Sequence, residues 1–303
     1  MGSSMERQHR PSVLDYTREF LLKRIGEIYQ PTIIDPQNNL STIRAMSTYM
    51  KFDPETGVEK PWYNMITAFN HVVDDDPILA LWLNWTYIDP AFQRPMLLPA
   101  SHYHTNFFRE PRTTIAYSLS GEIFNYERVR IIQVQQVDDP DFHYTKAQAR
   151  RTYESLILKM EQMRQKGPFS FVIAPEGHRS KQENSSLQEA QRGIGYFVQN
   201  MTPCVIVPVG ITYEKPFRLD HLNFDAKPQL RIAKPFVQEG IMKPGEKREF
   251  ITDLMVRIGS VLPEKMRGYY APQIKESMTN AYGALSAAST VPPTNRPGRI
   301  LDR

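Results

Sequence analysis

The chain has 303 residues, 41% of them apolar and 23% charged, an ordinary composition for a folded protein long enough to bury a substantial core. Its 37 Lys and Arg against 33 Asp and Glu leave a formal charge of +4. With no Lys/Arg block and no basic–aromatic repeat, that balance is too weak to argue for nucleic acid and fits anionic small molecules or an anionic membrane surface. The single cysteine, Cys204 in PCVIVPVGI, excludes a disulfide framework and points to a reducing compartment, with core packing as its role.

Residues 1–11 carry no apolar signal core and read as a disordered N-terminus, with Met5 a candidate start. Residues 12–61 read as a helical N-terminal segment. A helix over Ser12–Tyr29 places Leu14, Leu21, Ile25 and Ile28 at helical spacing behind a capping-box-like Ser12 and Asp15. A second helical pattern covers Ser41–Lys51, and DPETGVEKP reads as a loop. From residue 62 the character changes to alternating strands and helices. Met65–Phe69 reads as a strand, NHVVDDDP as a loop, ILALWLNWTY as a buried helix and Pro95–Ser101 as a short strand. Thr114–Gly121 is a helical candidate, and ERVRIIQV alternates as a strand does.

Thr145–Lys166 is the clearest helix. Ala149, Tyr153, Leu156, Met160 and Met163 form its apolar stripe, Thr145 caps it and Gly167 closes it. Strand Phe169–Ala174, helix Leu187–Gln199, strands Val205–Tyr213 and Gln229–Phe236, and a helix over Glu246–Leu262 follow. The pattern predicts an α/β fold over residues 62–271, with a mixed, largely parallel sheet covered by helices. The Ser/Ala/Pro/Thr-rich residues 272–303 read as a disordered tail. The longest apolar runs fall far short of the ~18 residues a membrane span requires. A cytoplasmic protein, peripheral to a membrane at most, is therefore expected.

Two stretches hold the residue types that chemistry needs. His71 follows a strand directly, and Asp76 lies five positions on in NHVVDDDP, where a helix begins. A helix N-terminus favours neutral imidazole, the form a general base needs, and a nearby carboxylate can fix its tautomer. The bland reading is a capping histidine with capping aspartates. In FVIAPEGHRS, Phe171–Ser180, an apolar strand ends in a carboxylate, a glycine and an arginine. Its bland reading is a surface turn with a local ion pair. The H-x-H of His102 and His104 lacks a convincing third ligand. Asp74–Asp76 and Asp138, Asp139 and Asp141 abut prolines instead of lining one helical face, as a diphosphate–metal site wants, so no metal is expected. There is no G-x-S-x-G elbow and no Walker loop.

Four ordered stretches together resemble the glycerolipid acyltransferases, the superfamily of lysophosphatidic acid and glycerol-3-phosphate acyltransferases and tafazzin. The first block, N-H-x-x-x-x-D, is matched by Asn70, His71 and Asp76; the second by GEIFNYER, with Arg128 or Arg130 as its arginine. The third, F-P-E-G-x-R-S, is matched by Ala174 to Ser180, and the fourth, V-P-V, by Val207, Pro208 and Val209. QRGIGYF and RIAKPF are similar to two further family segments, so the resemblance covers Trp62 to Phe236. Departures are Val73 for a frequent serine, Ala174 for phenylalanine and His178 for threonine.

The resemblance implies an O-acyltransferase in which His71 deprotonates an acceptor hydroxyl and Asp76 orients it. Arg128, Glu176, Gly177, Arg179 and Ser180 would hold a polyol phosphate, and Pro208 would shape the acyl-chain wall. The donor would be acyl-CoA or an acyl-carrier protein, acting as co-substrate with no cofactor. Lysophosphatidic acid is the first choice of acceptor, ahead of glycerol 3-phosphate or a lysophospholipid in a transacylase reaction. Two readings of other classes stand beside it: a lipid- or acyl-binding protein without turnover, and a metal-dependent phosphate-ester enzyme.

Overall fold

A computed structural model describes residues 20, 23–54, 57–91, 94–101, 129–134, 145–178, 185–217, 223–243 and 245–289. Outside the described residues lie residues 1–11, the start of the first helix at Ser12, the H-x-H, the helix over Thr114–Gly121, the GEIFNYER block and the second aspartate cluster.

Behind a helical stretch at 23–29 comes strand β1 (Thr32–Ile34), then helix α1 (Asn39–Ser47). The N-terminal segment is thus not purely helical, because β1 joins the main sheet beside a strand near residue 230. Asp35 starts α1, its two carboxylate oxygens accepting the amides of Asn39 (2.7 Å) and Leu40 (2.8 Å), which have no partner within the helix. DPETGVEKP is not a simple loop. Strands β2 (Met50–Asp53) and β3 (Val58–Pro61) pair antiparallel around a turn in which Gly57 adopts a φ of 67°. That left-handed conformation is open to glycine at no steric cost. Lys51 over the Trp62 ring, 3.6 Å from its centroid, and the Lys60–Asp53 pair at 2.5 Å hold the hairpin.

The main sheet is built from β1, β4 (Asn64–Phe69), β5 (Met96–Ser101), β6 (Val129–Val134), β7 (Ser170–Ile173), β8 (Cys204–Tyr213), β9 (Pro228–Ile232) and β10 (Phe236–Gln238). Its order is β1-β9-β8-β4-β7-β5-β6, with β10 also on β8. Pairings of β4 with β7 and β8, β5 with β6 and β7, and β1 with β9 are parallel; those of β8 with β9 and β10 are antiparallel. This is the mixed, largely parallel α/β sheet predicted. The strand predicted over Gln229–Phe236 divides into β9 and β10, and the break falls opposite Pro208, which has no N–H to give. Its carbonyl still accepts the Ala233 amide at 3.0 Å.

Both faces of β4 are buried, which explains a continuous apolar run rather than alternation. Ile66 and Ala68 face one core with helices α3 (Lys146–Lys166), α4 (Gly193–Met201) and α5 (Glu246–Ser260). Met65 and Phe69 face the other with α2 (Asp76–Leu83), a π turn over Asn84–Ile88 and Tyr29. The capping box predicted at Thr145 is present, and Gly167 closes α3.

Two elements differ from expectation. Helix α4 begins at Gly193 rather than Leu187, because residues 187–191 give their amides to other groups. Leu187 N–H goes to Met266 O, Gln188 N–H to the Glu176 carboxylate, Ala190 N–H to the Tyr270 hydroxyl and Gln191 N–H to Pro175 O, each within 2.8–3.0 Å. The tail predicted disordered is corrected over residues 272–289, because helix α6 runs Ala271–Ser289; residues 290–303 lie outside the described residues. Its Ile274 is fully buried against Gly259, where an added Cβ would lie 2.2 Å from the isoleucine Cδ1. Burying such a side chain contributes about 1.5–3 kcal/mol, one of the packing contacts that a composition-based reading of this segment does not see.

Gly268, between α5 and α6, has a φ of 44°, and a Cβ there would meet Leu187 O at 2.2 Å. Gly268→Ala is therefore expected to destabilise the fold by roughly 2–4 kcal/mol, read by urea denaturation; a loss under 0.5 kcal/mol would show that residues 187–191 do not depend on this contact.

Candidate active site

In parallel sheets the carboxyl ends of the strands form the crevice where ligands bind, and the chain leaves β4 there. Asn70 fastens the exit. Its amide nitrogen donates to Ile211 O (3.0 Å) and its oxygen accepts the Ile211 amide (2.6 Å). Strand β8 overshoots β4, since Phe69 pairs with Val209 while β8 continues to Tyr213. The overshoot forms a wall beside the residues that follow β4.

After Asn70 the chain turns through HVVDDD into α2, and Asp76 in its first turn reaches back. Asp76 Oδ2 lies 3.3 Å from His71 Nδ1 and accepts the amides of Val72 (2.5 Å) and Val73 (2.8 Å). Its other oxygen accepts the Tyr213 hydroxyl at 2.5 Å. The Asp76 side chain is fully buried, whereas His71 keeps 12% exposure. With Nδ1 against a carboxylate, the neutral ring carries its proton there and Nε2 is left as the basic nitrogen. The 3.3 Å separation is long for a strong hydrogen bond, as is common before substrate tightens a site.

Glu176, just beyond β7, is 1% exposed. Its Oε1 accepts the His71 amide (3.3 Å) and its Oε2 the Gln188 amide (3.0 Å). Both oxygens are thus taken by main-chain donors. Burial pushes its pKa up to about 8, against the pull of the Gln188 and His71 amides; the Asp76 charge adds to the rise. Gly177, with a φ of 77°, turns the chain and returns its amide to Ala174 O at 3.0 Å. His178 Nε2 meets Gln188 Oε1 at 2.7 Å, closing the loop onto the same segment.

The three consecutive aspartates diverge. Asp75 turns away from His71, its Oδ2 accepting the Asn223 amide at 2.5 Å and its carboxylate taking the Tyr29 hydroxyl. Burial holds Asp75 up at about 6, offset by the Asn223 amide. Among the described residues no group of three His, Cys, Asp or Glu side chains has the geometry to hold a metal ion.

The structure therefore brings His71, Asp76, Glu176 and Gly177 together. Pro208 stands in β8, paired with Ala68 and two residues short of the Ile211–Asn70 level. Arg128, Arg179 and Ser180 lie outside the described residues. Arg130 is the second residue of β6 and pairs with Leu97 of β5. Sequence reasoning missed Tyr213 and the Gln188 amide. Tyr213 ends a strand with no local pattern to mark it, and a backbone amide leaves no trace in residue identity.

No protein-family model matches the chain, and no curated protein does. Among solved structures it is similar to the 1-acyl-sn-glycerophosphate (LPA) acyltransferase PlsC from Thermotoga maritima, at 12% identity over 78% of each chain and a TM-score of 0.38. A likeness that distant adds nothing to the chemistry argued from the residues.

Glu176 gives the site a pH signature. An unfolded glutamate releases its proton near 4.5, and the folded one near 8, so below that window the group is neutral in both states. As pH rises through it, the unfolded state ionises first and wild type loses about 1.4 kcal/mol per unit relative to Glu176→Gln. Urea denaturation of both proteins between pH 5 and 8 reads this; parallel pH dependences would mean that Glu176 is ionised throughout.

Proposed function

We propose that the protein is an O-acyltransferase that moves a fatty acyl group from a thioester to the hydroxyl of a glycerol-phosphate type acceptor, lysophosphatidic acid first among them. The observation that carries this reading is the buried Asp76 carboxylate at His71 Nδ1, at the carboxyl end of the central strand β4, with the imidazole still partly open. The ordered resemblance of the four blocks supplies the reaction type, and the dyad is its chemical core.

In the proposed step, His71 Nε2 takes the proton of the acceptor hydroxyl while that oxygen attacks the thioester carbonyl. The tetrahedral intermediate collapses with cleavage of the C–S bond, and the imidazolium returns the proton to the departing thiolate. The products are an ester and a free thiol, from acyl-CoA or acyl-carrier protein, with no cofactor consumed. Asp76 holds the ring in the Nδ1–H tautomer and stabilises the imidazolium. Glu176 anchors the His71 main chain and the Gln188 amide, rather than gripping the acceptor itself. Arg128, Arg179 and Ser180 with the Gly177 backbone would bind the acceptor phosphate, for which arginine's forked donors are suited. Pro208 would shape the acyl-chain wall. No described helix is long and apolar enough to cross a membrane, and a peripheral contact would bring a lipid acceptor to the site.

Thiol release from palmitoyl-CoA, with lysophosphatidic acid and glycerol 3-phosphate tested in parallel and products identified, checks the reading. Wild type should release CoA only with acceptor present, and His71→Ala should lose about 10²–10⁴-fold in kcat. Asp76→Asn should lose a comparable factor while remaining folded. Acceptor-independent release, or full activity in His71→Ala, would sink the proposal. Folded protein silent with both acceptors, with a lysophospholipid panel and with an acyl-carrier-protein donor would instead favour a lipid-binding protein.

A further inference from the structure

The Asp76 carboxylate has more to satisfy than His71. Its Oδ2 is shared by three donors, two of them main-chain amides that fix that oxygen regardless of the histidine. What those amides leave free is the tilt of the carboxylate about Oδ2, and the tilt decides whether a lone pair points at Nδ1. The lever is Oδ1, held by the Tyr213 hydroxyl.

Tyr213 is fixed by elements other than the loop it steadies. It ends β8, pairs with Pro228 of β9 and packs its ring against Phe217 at 5.1 Å between centroids. A side chain anchored in the sheet can set the angle of a carboxylate in a turn. We infer that Tyr213 is a positioning residue of the dyad, its hydroxyl orienting the Asp76 carboxylate so that Oδ2 accepts the hydrogen bond from His71 Nδ1–H during acyl transfer. The inference rests on the acyl-transfer reading for its consequence in turnover, and on geometry alone for the positioning.

Burial and the neighbouring Asp76 and Asp75 charges raise the Tyr213 pKa well above 10, so the hydroxyl is a donor and neither a base nor a nucleophile. Removing it would leave Oδ1 of a fully buried carboxylate without a partner. The carboxyl group would then turn Oδ1 toward the Val72 and Val73 amides or take up a proton. Either change weakens its hold on Nδ1.

The test is Tyr213→Phe, which keeps the ring and removes only the hydroxyl. It should lower kcat about 10–100-fold with KM within about twofold, and should cost nothing further in a His71→Ala background, because the residue acts through His71. Nitrogen-15 NMR of histidine-labelled protein reads the same effect without turnover. The Nδ1–H signature of His71 should be sharp in wild type and averaged between tautomers in Tyr213→Phe. Incorporating 3-fluorotyrosine at 213, which preserves the fold and the hydrogen bond, should leave kcat within about twofold. An unchanged His71 signal in folded Tyr213→Phe, an equal loss in the His71→Ala background, or a loss with fluorotyrosine as large as with Phe would each overturn the inference. An altered signal in a protein whose wild type shows no acyl transfer would uphold the positioning and remove the acyltransferase reading instead.

Discussion

One buried carboxylate joins the parts of this site that the sheet alone would leave loose. Glu176 follows β7, and its two oxygens reach the His71 amide after β4 and the Gln188 amide in the segment before α4. That segment is held from behind by the α5–α6 connection, through Met266 O, the Tyr269 amide and the Tyr270 hydroxyl. A chain of main-chain contacts therefore runs from the C-terminal helices to the backbone of the candidate base. A buried polar group so placed is costly unless satisfied, and both of its acceptor oxygens are.

The same logic separates two kinds of carboxylate beside His71. Glu176 touches the histidine's main chain and fixes where the residue sits. Asp76 touches its ring and fixes which nitrogen is basic. Asp75, adjacent to Asp76 in sequence, serves neither purpose and instead ties Tyr29 and the Asn223 amide to the start of α2. Two adjacent aspartates thus do different work because the tight turn into α2 gives their carboxylates different partners.

Much of this was legible in the sequence where the governing interactions are local or periodic. The α3 helix announced itself through its apolar stripe, its Thr145 cap and Gly167, and the runs of β4, β7 and β8 could only be buried strands. The His71–Asp76 pair was also readable, because a five-residue separation across a strand-to-helix turn is short enough for side chains to meet. What escaped was decided by distant partners. Residues 187–192 have helical composition, yet their amides are spent on Glu176, Pro175, Met266 and Tyr270. The 271–289 helix looked like a tail because its packing, such as Ile274 against a glycine on α5, involves partners outside the segment. The hairpin at 50–61 was masked by polar residues on both strands. Glu176 was legible as an unusual residue, though its partners are backbone atoms that no residue letter records.

The overshoot of β8 has a consequence for the order in which the molecule is made. Asn70 meets Ile211 across 141 positions of sequence, and Asp76 meets Tyr213 across 137. A ribosome adding about 5–20 residues per second needs roughly 7–28 s to travel that far after His71 has emerged. Until then the residues after β4 lack both their wall and the hydroxyl that squares the carboxylate. The nascent chain carries the histidine and aspartate as nearby letters long before it carries them as a pair.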